Sequence, residues 1–337
     1  MRRCTPFLLS ALLGAAAVAQ AGEPTLLRTL KLGGEGRWDY VSLDPAAGRI
    51  YVPRSTHVMV LDLDGKVKGD IPGTPGVHGV AFSAELDRGW TSNGQADTVS
   101  VFKLSTLEVL KVIKVTGKNP DAILFEPTTK RVITFNGGGK NATVIDAVSS
   151  EVLGTIPMGG KPEFSACDGK GRVFVNNEDT AEILAIDAKA MKVVAAWPIK
   201  PVESPTGLAI DAKNNVLYAV GGNQLAAVVD ALSGKVLATV AIGSGADGIA
   251  FDPGTGCAYA SNGEGTLTVI RRNGKGLFET TTVPTKRGAR TIVDNPVTHR
   301  LYLPTADFLP VPKDAKPGTR PTMVEGSFQL IEMGEAH

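Results

Sequence analysis

Ile249-Ala-Phe-Asp252-Pro253 is spelled in variant form six more times along the chain. The copies are Val41-Ser-Leu-Asp44-Pro, Val80-Ala-Phe-Ser83-Ala, Ile123-Leu-Phe-Glu126-Pro, Ser165-Ala-Cys-Asp168-Gly, Leu208-Ala-Ile-Asp211-Ala and Ile292-Val-Asp-Asn295-Pro. The polar fourth position steps by 39, 43, 42, 43, 41 and 43 residues, which makes seven units averaging 42. Each copy is followed, about six residues on, by a second apolar run such as Ile50-Tyr-Val52, Val173-Phe-Val175 or Leu301-Tyr-Leu303. A third follows a polar gap, as in Val58 to Asp62 or Ala142-Thr-Val-Ile-Asp146, and a fourth closes the unit, as in Val236-Leu-Ala-Thr-Val240.

Short β-rich runs divided by turn chemistry read as four antiparallel strands, A to D, in each unit. Asp44-Pro, Glu126-Pro, Asp252-Pro and Asn295-Pro suit the opening of a type I turn between A and B. Asp64-Gly65 and Ser233-Gly234 suit the C–D hairpins. One such unit cannot bury both of its faces, so the units must stack against one another. Four strands at this period give an all-β chain, a single seven-bladed β-propeller. The repeats fall near 38–76, 77–119, 120–161, 162–204, 205–245, 246–288 and 289–334. The last lacks a fourth strand, and residues 26–32 form a strand with no unit of its own. The two ends are expected to pair and close the ring.

Residues 1–21 read as a signal peptide rather than part of the fold. Arg2 and Arg3 precede the apolar Phe7–Val18 stretch, and Ala19-Gln-Ala21 is a small-x-small cleavage site. The expectation is an exported chain, periplasmic or secreted, starting at Gly22. With 35 basic and 34 acidic residues in all, the chain has no polyelectrolyte character, which argues against nucleic acid as a partner. No stretch after the signal approaches the ~20 apolar residues of a spanning helix, so no membrane insertion is expected. Cys167 and Cys257 remain after cleavage, and two buried free thiols are expected in place of a disulfide. No Cys-x-x-Cys-His or zinc-ligand spacing occurs, so no cofactor motif is evident.

The units resemble YVTN-type repeats. The likeness rests on Gly89-Trp-Thr-Ser-Asn93, Val132-Ile-Thr-Phe-Asn136 and Ala258-Tyr-Ala-Ser-Asn262, with Asp-Pro before and Val-Ile-Asp-Ala after, over residues 26–333. It is nearest to YncE-like exported proteins. Among other WD40-like repeats, WD40 proper fits poorly because no Gly-His…Trp-Asp pair occurs. The resemblance implies a periplasmic or secreted propeller and supplies no catalytic motif. Blades 4 and 5 depart from the motif at Asn176-Asn177 and Val220-Gly221.

Chain direction places the D–A and B–C connections on one face, and functional residues favour such loops. On that face, one column reads Asp39, His78, Asp121, Glu163, Thr206, Asp247, Arg290. Trp38 lies beside it. A second column, ending strand B, includes Arg54, Asn93, Asn136, Asn177 and Asn262. The asparagines suit turn positions tolerant of left-handed backbone, or else a ligand at the channel mouth. Clustered carboxylates with a histidine and an arginine form a candidate site, where a divalent cation or a ligand with a cationic group would relieve repulsion. The long seventh B–C connection, residues 305–326, is either a lid or mobile, with mobile favoured. The leading expectation is a monomeric binding or interaction module for a small molecule or a periplasmic protein. The alternative is a metal-assisted hydrolase or lactonase at the mouth.

Overall fold

The computed structural model describes residues 22–312, 319 and 321–336. The expected signal peptide lies outside the described residues. Seven four-stranded antiparallel sheets follow one another around a ring. Blade 3 is typical, running Pro120–Glu126, Arg131–Asn136, Asn141–Asp146 and Val152–Pro157 from the axis outward. Among the described residues no helix is long and apolar enough to cross a membrane.

The cores lie between blades rather than within them. Seven separate apolar clusters occupy the seven interfaces, one for each neighbouring pair. That explains the sequence pattern. Strands B and C are covered on both faces and read as nearly continuous apolar runs, whereas an outer strand such as Lys192–Pro198 alternates exposed and half-buried residues. Aromatics bridge the interfaces, with Tyr51 stacked on Phe82, Trp90 on Phe125 and Tyr218 on Phe251 at centroid distances of 5.8, 5.5 and 5.7 Å.

The turn acids behave as local capping groups. Asp44 Oδ1 accepts from the N–H groups of Ala46 and Ala47, and Glu126 from those of Thr128 and Thr129. Asp146 and Asp230 do the same in C–D hairpins. These carboxylates hold turns together.

The ring closes as the sequence predicts. Thr25–Lys31 pairs antiparallel with Gln329–Gly334 and forms the outer strand of the seventh blade. Behind it, Arg54 is fully buried, with its guanidinium 3.6 Å from the Phe328 ring centroid. Its nitrogens donate to the carbonyls of Gly33, Gly34, Glu35 and Gly36 at 2.7–3.2 Å. The loop leading from the closing strand into blade 1 therefore folds around one arginine. Gly36 has φ +90°, and a Cβ there would stand 2.5 Å from the Arg54 carbonyl oxygen, so the position requires glycine. Cys167 and Cys257 are free thiols in different blades, Cys257 buried and Cys167 half-buried.

Candidate functional site

Two of the blades have a strand A of only three residues, Ser42–Asp44 in blade 1 and Val293–Asn295 in blade 7. In blades 2 to 6 that strand has six or seven residues and contains the ring position itself. Asp39 and Arg290 therefore sit on irregular backbone released from sheet pairing, and a cavity of about 1150 Å³ opens beside them. Trp38 and four residues of the column, Asp39, His78, Asp247 and Arg290, line it. Asp121 and Glu163 belong to the same ring but lie outside the cavity wall.

The ring charges are paired with one another. His78 Nδ1 is 2.7 Å from Asp39 Oδ2 and 3.3 Å from Asp121 Oδ1. Arg290 Nε is 2.8 Å from Asp247 Oδ2, and its Nη2 is 3.6 Å from Asp39 Oδ1. Lys161 Nζ meets Glu163 Oε1 at 2.5 Å and also pairs with Glu178. Burial opposes charge on His78, but the hydrogen bond to Asp39 and the negative charges of Asp121, Asp39 and Glu163 outweigh it and lift the imidazole to about 9. Burial, then the neighbouring Asp121 charge, pushes Glu163 up to about 8 against the opposing pull of Lys161. Asp121 is likewise held up, to about 6, by burial and by Asp39 despite His78. The carboxylate repulsion expected from sequence is relieved internally, by cations and by protons.

A residue pair outside the predicted set crosses the channel. The column next to the ring reads Tyr40, Gly79, Ala122, Phe164, Gly207, Gly248, Thr291. Five are small. At Gly207 and Gly248 a Cβ would come within 2.9 and 3.0 Å of the next blade's backbone. Blades 1 and 4 are not neighbours, so the contact between Tyr40 and Phe164, with centroids 4.6 Å apart, must span the axis. Tyr40 Oη donates to Glu163 Oε2 at 3.2 Å, and burial together with the surrounding carboxylates raises the phenol well above its ordinary range. Reading this second column across the repeats would have found both aromatics.

The strand-B column belongs elsewhere. Asn93, Asn136, Asn177 and Asn262 are buried and bonded inside the blades, so they line no mouth. Asn136 Nδ2 donates to Asn141 Oδ1 and Thr143 Oγ1, Asn262 Nδ2 to Thr266 and Thr268, Asn93 Nδ2 to Thr98 and Ser100, and Asn177 Nδ2 to the Met158 carbonyl. None has positive φ, so the left-handed turn expectation fails too. The pattern encodes a side-chain clamp at the end of strands B and C. The preceding residue ties blades together: Ser92 and Ser261 donate to the carbonyls of Asp121 and Arg290, and Asn176 to that of Thr206. Arg54 is likewise absent from the mouth, being spent on the closing loop.

The described parts of the 305–326 connection are tied to one another by backbone hydrogen bonds. Phe308 bridges to Met323, Leu309 N–H donates to the Thr322 carbonyl, and Val324 N–H to that of Asp307. Phe308 packs at 6.1 Å from Trp38 and forms part of the cavity wall together with Pro321 and Met323.

A search of family models and a search of curated proteins each find no match. The YVTN-type, YncE-like resemblance therefore gains no support from either. Among many similar solved structures is the hydrazine synthase of Kuenenia stuttgartiensis, with a TM-score of 0.66 and 16% identity over 78% of this chain and 91% of that one. At that identity the likeness concerns the propeller fold alone.

Proposed function

We propose that this chain is an exported binding or interaction module that receives its ligand, a small molecule or part of a periplasmic protein, at the D–A/B–C face. The observation that carries this reading is the cavity of about 1150 Å³, which joins charged groups to an aromatic wall at the channel mouth. Asp39, His78, Asp247 and Arg290 on the cavity wall are held in place by mutual ion pairs, which supports a preformed site. Among the described residues, the His78 imidazole is hydrogen-bonded to Asp39 and to no serine, threonine or cysteine, which favours binding over nucleophilic catalysis. Export is supported by the charged, apolar and small-residue order of residues 1–21. Mass spectrometry of the native protein should find Gly22 at its N-terminus, and an intact Met1 would contradict export. For the binding reading, a chemically diverse fragment panel observed by NMR should perturb the Trp38 and His78 resonances. A panel that leaves both unmoved would remove it.

One observation favours a metal-assisted hydrolase as a second reading. Ligand atoms of Asp39, His78 and Asp121 lie within 4.8 Å of one another. Two carboxylates and an imidazole suit a divalent cation. A cation would have to displace the proton that His78 Nδ1 shares with Asp39. Calorimetric titration with Ca²⁺, Mg²⁺ and Zn²⁺ separates the readings: no heat from any of the three excludes the hydrolase.

A further inference from the structure

We infer that the mouth cavity takes a small organic anion, a carboxylate or phosphate on an aromatic or branched apolar body, with Arg37 and Arg287 holding its charged end. This rests on the binding reading above and names its ligand class. Among the described residues, every carboxylate on the cavity wall is already engaged. Asp39 is held by His78 and Arg290, Asp247 by Arg290, and Glu264 by the hydroxyls of Ser244 and Thr266. An entering cation would find these oxygens taken and would have to break the pairs. The cations divide differently. Arg290 is committed to the ring, whereas Arg37 and Arg287 are exposed on the wall, and neither guanidinium has an ion pair or hydrogen bond among the described residues.

A guanidinium presents a planar fork of donors that matches carboxylate and phosphate oxygens, and it stays charged at any working pH. The rest of the wall sets the body of the ligand. Trp38, Phe308, Pro321 and Met323 form an apolar side, with Phe308 tilted against Trp38. A fully hydrated inorganic ion would leave that surface unused, while an aromatic or branched group would bury it. The sequence column, read alone, points to a cation. The pairing seen in three dimensions reverses the sign.

Calorimetry on the full chain tests this with phenyl phosphate and phenylacetate, and with phenethylamine and phenylacetamide as cationic and neutral counterparts. Both anions should bind, more weakly as ionic strength rises, and the amine should give no heat. Loss of a charge-assisted bond costs about tenfold in affinity, so the Arg37→Ala/Arg287→Ala double variant should bind the anions roughly 100-fold more weakly. Its melting temperature should stay within a degree or so of wild type, since both side chains are exposed. Phenethylamine binding as tightly as phenylacetate would overturn the inference, and so would unchanged anion affinity in the double variant. Silent anions with a binding amine or amide would end the anion assignment and leave the cavity as a site. Silence from all four probes also overturns the inference, and the fragment panel then decides separately whether the cavity binds anything.

Discussion

Blade 3 and the closing pair, blades 7 and 1, are written in the same repeat and do different work. Blade 3 takes all four strands from one stretch, Pro120–Pro157, and its seven-residue inner strand carries its ring residue within the sheet. Blade 7 borrows its outer strand from the other end of the chain, and both closing blades shorten strand A to three residues. The regular blade is held by local hairpins. The closing pair is held by long-range pairing and one buried arginine, and its freed backbone makes room for the cavity. Regularity gives the ring its frame, and the departure from regularity gives the site.

The largest effect should come from the closure. Removing residues 22–33 deletes the outer strand of blade 7 and leaves the Gln329–Gly334 edge open. Calorimetry should register a fall in melting temperature of roughly 10 °C or more, or aggregation, because the loss exceeds several kcal/mol. An unchanged melting curve would break the contrast between the two regions. Arg54→Met sharpens it at a single residue. Four half-buried or exposed carbonyls lose their charged donor and the Phe328 ring loses its cation, a loss of about 1.5–3 kcal/mol seen as a lower midpoint in urea unfolding. A midpoint like wild type would mean that the strand pairing alone holds the closure.

Asn136→Ala tests the regular side. It strips two buried hydrogen bonds from the B–C clamp and should cost about 1–3 kcal/mol, with no change in ligand binding because the side chain lines no cavity. Altered binding in this variant would return the asparagines to the mouth.

Glu163→Gln probes the ring between the two regions. The folded state holds the Glu163 proton up to about pH 8, whereas an unfolded glutamate releases it near the ordinary value. The native state therefore binds more protons between these limits, and stability present below about pH 4.5 is lost as pH rises through 8. The Gln variant should flatten that slope and melt higher than wild type at pH 8, by about 2 °C. His78, lifted to about 9, contributes a slope of the same sign at higher pH that the variant keeps. A wild-type stability that rises from pH 5 to pH 8 would contradict the assignment. The smallest effect belongs to Tyr40→Phe, which loses one hydrogen bond to Glu163 but keeps the packing on Phe164, at about 0.5–1.5 kcal/mol.

Sequence by itself determined whatever repeats. The 42-residue period and the A–B turn acids dictate seven four-stranded blades, because each depends on contacts local to a unit or to its neighbour, and the orphan strand near residues 26–32 fits the one position the last unit leaves unfilled. Register also brings Asp39, His78, Asp121, Glu163, Asp247 and Arg290 to one end of the channel. Tertiary structure alone decided how those charges are spent. Whether His78 meets Asp39 or Asp121, whether Tyr40 reaches Glu163 three blades away, and whether Arg54 turns to the mouth or to the closing loop depend on ring radius and side-chain length. A period in the chain encodes neither. For the same reason the asparagine column misled: equivalence in sequence fixes where a residue sits in its blade, while the packing of the next strand fixes whether its amide faces solvent or a threonine.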